Sequence, residues 1–202
     1  IILTFTDIIM TNKEAIQKHF DEAAEVLNTF NNNGNIEAIH TALLVMIDAL
    51  KNGNKLISCG NGGSMSDAMH FAEELSGRFR NERQALAALS ISDPTHISCV
   101  ANDYGYDYVF SRYIEALGSQ GDVLIGISTS GNSKNVINAV EIAKKKGLKT
   151  VVLTGKTGGL LSNMADIEIR APQSEFADRA QEIHIKVIHA LIDGIERALK
   201  LS

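Results

Sequence analysis

The sequence is poor in cysteine. Its 202 residues include two, Cys59 and Cys99. They lie far apart and form no C-x-x-C pair, so no disulfide framework is implied and a reducing, cytoplasmic setting is expected. No apolar run is long enough to span a bilayer. Basic charge is not in excess: 19 Lys+Arg against 24 Asp+Glu leave a net charge of −5. That balance argues against general binding to nucleic acid or to an anionic membrane, and leaves room for a local positive field over an anionic small molecule. The apolar opening, residues 1–9, lacks a basic leading region and a cleavage-site pattern, so it is a poor signal peptide. Met10 is expected to be the natural start, with 1–9 an upstream or non-native extension of a single domain over 10–202. No repeat, low-complexity tract or interdomain linker interrupts that domain. The composition, 45% hydrophobic and 21% charged, is that of an ordinary globular protein large enough for one sizeable core.

The informative stretch is Lys55–Leu75, KLISCGNGGSMSDAMHFAEEL. Leu56-Ile57 reads as a buried strand, Gly60-Asn61-Gly62-Gly63 as a turn, and Ser64 as the start of a helix with Asp67 completing a partial capping box. Strand, glycine turn and helix N-terminus together present free N–H groups to an anion. His70 and Glu74 follow at i, i+4 and project from one face.

Before this stretch, residues 11–30 predict an amphipathic helix capped at Thr11 or Asn12, with Ile16, Phe20, Ala24, Leu27 and Phe30 as its apolar face. The NNNGN run at 31–35 breaks it. A second helix from about Ile36 to Asn52 has an apolar set wide enough to be covered on more than one side. After the motif come a strand at about Leu86–Ile91, a helical piece opening at Ser92–Thr95 and ending at Asn102–Gly105, and a helix over Asp107–Leu117. A strong buried strand, Asp122–Ile127, then enters Ser128-Thr129-Ser130-Gly131-Asn132-Ser133 and a helix closed by Gly147. Strands at Thr150–Leu153 and Asp166–Ile169 and a long helix over Phe176–Leu199 complete the chain. Strands alternating with helices predict an α/β fold: a three-layer, doubly wound parallel sheet flanked by helices, with extra N-terminal helices. Ligands of such sheets bind at the carboxyl ends of the strands, so the turns at 60–64 and 128–133 should line one crevice.

The second turn carries four hydroxyls, on Ser128, Thr129, Ser130 and Ser133, at a helix N-terminus. That suits the several acceptors of a phosphate, against the plainer reading of a turn capped by Asn132. Two decoys are set aside. Met65 stands where a dinucleotide fingerprint needs glycine, and Thr150 where a P-loop needs its first glycine. His19, His40, His96 and Cys99 have no partner at ligand spacing and are read as structural. The last helix carries Gln181, His184 and His189. Gln181 and His189 are about 12 Å apart along the axis and about 80° around it, so spacing alone does not make them one metal site. A His/Glu/Gln/His set would suit Zn²⁺ or a similar divalent ion.

Four segments, SCGNGGSMSDAMHFAEEL, ISDPTHISCVANDYG, GDVLIGISTSGNSKNV and ADRAQEIHIKVIHALI, resemble the bacterial phosphoheptose isomerases, a family of sugar-isomerase (SIS) domain proteins. The resemblance runs from about Met10 to the C-terminus. It implies a cytoplasmic homotetramer, with active sites at subunit interfaces and one Zn²⁺ per subunit. The reaction it implies converts sedoheptulose 7-phosphate to D-glycero-D-manno-heptose 7-phosphate, the first step towards ADP-heptose for the lipopolysaccharide core. The family's zinc ligands match His70, Glu74, Gln181 and His189. Its substrate contacts match Asn61, Gly62, Gly63, Glu74, Asn102, Asp103, Ser128, Thr129, Ser130, Ser133 and Gln181. Arg78 and Asp178 match positions near its active site. Glu74 is expected to be the base and His189 the acid of an enediol mechanism. Met65-Ser66 replace a common His-Cys, and the segments 81–89 and 171–176 diverge. Two other readings stay open: a non-catalytic SIS regulator that binds the replication initiator, and an isomerase of another sugar phosphate. The regulators lack equivalents of Glu74 and His189, which this chain has.

Overall fold

The computed structural model describes residues 5–199, with side chains from Thr11 onward except at position 33. Residues 1–4 of the expected extension and 200–202 of the expected domain lie outside the described residues. Five parallel strands form one sheet: β1 (Leu56–Gly60), β2 (Ala88–Ser90), β3 (Val123–Ser128), β4 (Lys149–Thr154) and β5 (Ile167–Arg170), in the order β2-β1-β3-β4-β5. The crossovers are α3 (Gly63–Ser76), then α4 (Pro94–Tyr104) with a 3₁₀ turn and α5 (Val109–Leu117), then α6 (Lys134–Lys145), then the short α7 (Leu161–Met164). Helices α1 (Phe5–Phe30) and α2 (Asn33–Lys51) precede the sheet and α8 (Ala177–Ala198) follows it.

Because both faces are covered, the central strands are apolar throughout and their side chains alternate between two cores. Leu56, Val123, Ile125, Ile127, Val151 and Leu153 pack with α2, α3 and α8. Ile57, Cys59, Leu124 and Val152 pack with α4, α5 and α6. The chain steps outwards from β1 to β2, then back past β1 to β3. The strand order therefore reverses between β1 and β3, and this switch point opens a crevice at their carboxyl ends.

The N-terminal helices differ from the sequence reading. α1 starts by Phe5 and runs through Thr11 and Asn12, because FTDIIM contains no breaker. Its apolar stripe is not in the core: Ile16, Phe20 and Leu27 are 61%, 67% and 41% exposed, and Phe30 alone of the five is buried. α2 begins at Asn33, since the Asn32 side chain accepts from the Asn35 N–H at 3.1 Å and caps it. It buries one face only, through Ala42, Met46, Ile47 and Ala49, and leaves Leu44 exposed. α3 also starts early. Gly62, at φ +56°, stands at its N-cap without a side-chain bond, so no Ser64–Asp67 capping box forms. β2 is shorter than expected, and α7 was not expected at all.

His184 lies fully inside the core on α8, and its Nε2–H donates to the Thr154 carbonyl at 2.8 Å. Its Nδ1 has no partner, so protonation would bury an unpaired donor. Burial pushes the imidazole down to about 4, against a smaller upward effect of the Thr154 carbonyl. The unfolded chain takes up this proton near pH 6.5 and the folded chain only near 4, so stability is lost as pH falls across that window. Between pH 7 and pH 5 wild type should therefore lose about 2 kcal/mol more stability than His184→Gln. Urea unfolding of both proteins at the two pH values checks this. Equal losses would mean that His184 is not held neutral.

Candidate active site

The carboxyl ends of β1 and β3 carry the glycine turn and the hydroxyl-rich loop side by side. Asn61, in the first, and Asn135, on the first turn of α6, exchange two amide hydrogen bonds at 2.9 and 2.8 Å. The Tyr106 hydroxyl donates to Asn61 Oδ1 at 3.0 Å. Sequence reasoning singled out neither Asn135 nor Tyr106, since nothing local marks a residue whose partner is so far along the chain. The two turns thus share one crevice. In the β3 loop, Ser128 Oγ lies 2.9 Å from Ser133 Oγ and 3.5 Å from Ser130 Oγ, and Ser130 Oγ accepts from the Asn132 N–H. Asn132 does not cap α6. Its side chain accepts from the Leu160 N–H and donates to the Ser130 carbonyl, while Ser133 holds the cap position. Thr129 is half-buried beside them. In the glycine turn, the N–H groups of Ser64, Met65 and Ser66 bond to the Asn61 and Gly62 carbonyls. They are not free for an anion, so the hydroxyl loop is the better cradle.

Helices α3 and α8 pack against each other. His189 Nε2 on α8 lies 3.1 Å from His70 Nε2 on α3, and Glu74 Oε1 lies 3.6 Å from the same His70 nitrogen. Glu73 Oε1 sits 3.0 Å from His70 Nδ1. With Nδ1–H donated to Glu73, the Nε2 lone pair points towards Glu74 and His189. Burial, and then the neighbouring His70, holds the His189 imidazole below its usual range, although Glu74 opposes this. Phe79, just past α3, stacks on the His189 ring at 5.7 Å. Asp67, one turn before His70, is pushed up to about 6 by burial, which the His70 charge counters, and its Oδ2 is a buried acceptor without a partner.

Among the described residues His70, Glu73 and Glu74 offer ligand atoms within 4.8 Å of one another, a group that fits a small divalent ion, and His189 lies against His70. Two imidazole nitrogens on one tetrahedral Zn²⁺, each at about 2.0–2.1 Å, stand roughly 3.4 Å apart. The His70–His189 and His70–Glu74 separations bracket that value. Gln181 is not in this cluster. Its amide packs on Gly63, where an added Cβ would come within 2.5 Å of Nε2. Gly63 and His70 are separated by about 10 Å of helix rise. Of the expected ligands, His70 and Glu74 thus belong to the compact group, His189 meets only His70 among them, and Gln181 stands at the glycine turn.

Asn102 and Asp103 are exposed near the end of α4, where Asn102 Nδ2 donates to Asp103 Oδ1 at 2.8 Å. Arg78 is exposed and pairs with Glu82, and Asp178 accepts from the Arg179 backbone N–H. Met65 packs against the α4-side core and Ser66 is exposed. His19 does have a partner: the buried Arg179 guanidinium approaches its ring nitrogens at 2.7 and 2.8 Å. That contact spans α1 and α8, beyond the reach of a spacing argument. His96 Nε2 meets the Val109 carbonyl at 2.9 Å, a structural role, and the Cys99 thiol meets Asp103.

Strand order and switch point define a doubly wound α/β domain, and the SIS domain family model matches residues 18–155. The chain is 55% identical over 189 residues to phosphoheptose isomerase of Vibrio parahaemolyticus, covering 93% of this chain and 99% of that one. It is 59% identical over 184 residues to the Histophilus somni protein of the same name, covering 91% and 94%. Phosphoheptose isomerase of Neisseria gonorrhoeae superposes with a TM-score of 0.86 at 40% identity, over 92% of this chain and 98% of that one. The Francisella tularensis enzyme gives 0.88 at 36%, with the same coverage. The chain belongs to the phosphoheptose isomerase family of SIS-domain proteins.

Proposed function

We propose that this chain interconverts sedoheptulose 7-phosphate and D-glycero-D-manno-heptose 7-phosphate through an enediol, the first step towards ADP-heptose. The observation that supports this reading is that Glu74 and His189, from helices far apart in sequence, both approach the His70 Nε2. The substrate phosphate binds the Ser128–Ser133 loop, with Thr129 and Ser130 among its donors. Holding that remote group fixes the reacting carbons under the carboxylate. Asn61, Gly62 and Gly63 line the sugar, with Asn102 and Asp103 closing its outer side.

Glu74 removes the C1 proton of the ketose while His189 donates a proton to the C2 oxygen, giving the enediol. Glu74 then returns its proton to C2, and the O1 proton passes back to His189 as the C1 carbonyl forms. The protonated imidazole of His189 gives the proton to the C2 oxygen and the resulting neutral imidazole takes the O1 proton back, so the group is restored at the end of the cycle. His70, Glu74, Gln181 and His189 would hold a Zn²⁺, which would supply polarisation of the substrate oxygens.

The working form is a cytoplasmic homotetramer. Two features support subunit contacts: the exposed apolar stripe of α1, and a groove of about 550 Å³ between α1 and α8 that reaches His189 and is lined by Phe20, Leu27 and Ile183. Free thiols at Cys59 and Cys99 fit a reducing compartment. Among the described residues no helix is long and apolar enough to cross a membrane.

The test is a panel of ketose phosphates incubated with the zinc-loaded protein and followed by NMR. The heptulose phosphate should give the aldose heptose phosphate and turn over fastest. Faster turnover of a pentulose phosphate would move the substrate assignment. No turnover of any, with retained binding, would favour a regulatory SIS protein.

A further inference from the structure

Immediately after α3 the chain crosses onto α8 and follows one stripe of it. Phe79 stacks on His189, with the Arg80 guanidinium over the Phe79 ring at 5.1 Å. Arg80 Nη1 bonds Asp193 at 3.0 Å, and Arg83 Nε bonds Glu196 at 2.9 Å. Positions 189, 193 and 196 are i, i+4 and i+7 on one helix face. The Arg83–Glu196 pair is nearly sealed from solvent, with side chains 5% and 4% exposed. The rest of the Arg83 guanidinium faces the C-terminal end of α3. Nη2 donates to the Glu74 carbonyl at 2.7 Å, and Nη1 donates to the carbonyls of Leu75, Gly77 and Gln84 at 2.9, 3.3 and 3.1 Å. One planar group thus caps the helix that carries Glu74 and grips the helix that carries His189.

We propose that Arg83 is a positioning residue for the reaction, setting the register of α3 against α8 and so the spacing of His70, Glu74 and His189. A guanidinium suits the task because its fixed fork bonds several acceptors at once. A cap needed for stability alone would require no partner on α8. Instead, Arg83 pairs two turns beyond His189, through a strap that also covers the His189 ring. The inference rests on the isomerase reading for its kinetic effect and on geometry alone for its effect on metal binding.

The experiment compares wild type with Arg83→Gln, Arg83→Lys and Glu196→Gln, at a temperature where their circular dichroism spectra coincide. It reads kcat and KM for sedoheptulose 7-phosphate, and Zn²⁺ affinity by competition with a chromophoric chelator. Displaced supporting groups around a metal site cost about 10–100-fold. For Arg83→Gln, kcat should therefore fall at least about tenfold, with KM little changed because the phosphate loop is remote. Zn²⁺ affinity should fall in parallel, and Arg83→Lys should recover only part of both. Variants that melt earlier but keep kcat and Zn²⁺ affinity within about twofold of wild type would overturn the proposal. If Arg83→Gln does not fold, Glu196→Gln, which keeps the guanidinium and a neutral acceptor, decides by the same two readouts. If wild type itself does not isomerise the substrate, the functional reading fails, and the zinc titrations alone judge Arg83.

Discussion

Replacing Glu74 by Gln is expected to lower kcat for ketose–aldose interconversion by about 10³-fold, within the 10²–10⁴ range of a positioned general base. Gln has the size and shape of Glu and keeps a hydrogen-bonding carbonyl, so the half-buried site repacks little. What it loses is the capacity to hold the C1 proton between its removal and its return to C2. The main chain at this position is fixed by Arg83, so the effect is confined to the side-chain head group. KM should stay within a few-fold, because the phosphate cradle belongs to the β3 loop. Interconversion and exchange of the C1 proton with solvent deuterium, both followed by NMR, check the two halves of this statement. Turnover near wild type would remove Glu74 from the base role. Loss of turnover that saturating Zn²⁺ restores would assign it to metal binding alone, and a Zn²⁺ titration of the variant separates the two.

The second large effect is on the cradle itself. Gly131→Ala should destabilise the fold by about 3 kcal/mol or more and weaken phosphate binding at least about tenfold. Gly131 has φ +66°, and a Cβ there would lie 1.9 Å from the Gly158 carbonyl oxygen. That atom is backbone and cannot swing aside. Relief requires parting the 128–133 loop from the 155–161 loop, which are tied by Leu161 N–H to the Gly131 carbonyl and Leu160 N–H to Asn132. The Ser128, Ser130 and Ser133 hydroxyls would move with it. Gly53→Ala is the matched control. Gly53 has φ +78° with nothing within 4 Å of its Cβ position, so it costs the backbone term alone, about 1 kcal/mol. Urea unfolding of both variants, with inorganic phosphate binding by calorimetry, measures the difference. Equal destabilisation would mean that the two loops part without cost.

Much of the fold was legible because its causes are local. Apolar runs bounded by turn residues marked the central strands, and β1 and β3 lie where those runs fall. Gly105 at φ +97° and Gly147 at φ +79° end the helices they were expected to end. Asp93 caps α4, accepting from the His96 N–H at 2.7 Å. The boundaries that moved did so for local reasons misjudged: no breaker precedes Thr11, and Asn32 rather than the whole asparagine run restarts the helix. Burial was harder to read. The stripe of α1 has the period of a core-facing helix, yet most of it is exposed in the single chain, because periodicity tells that a face is apolar and not what covers it.

The candidate site divides the same way. The sequence by itself determined the donors: a glycine turn, a loop of hydroxyls, and His70 and Glu74 on one helical face, because turn chemistry and helical period act over a few residues. It left His189 and Gln181 a spacing too long to be one site. Only the tertiary structure, packing α8 along α3, decided that His189 meets His70 while Gln181 meets Gly63. It also decided that Arg83, Phe79, Asn135 and Tyr106 support that arrangement. Those contacts join segments distant along the chain, and burial of two shared cores, not any local preference, brings them together.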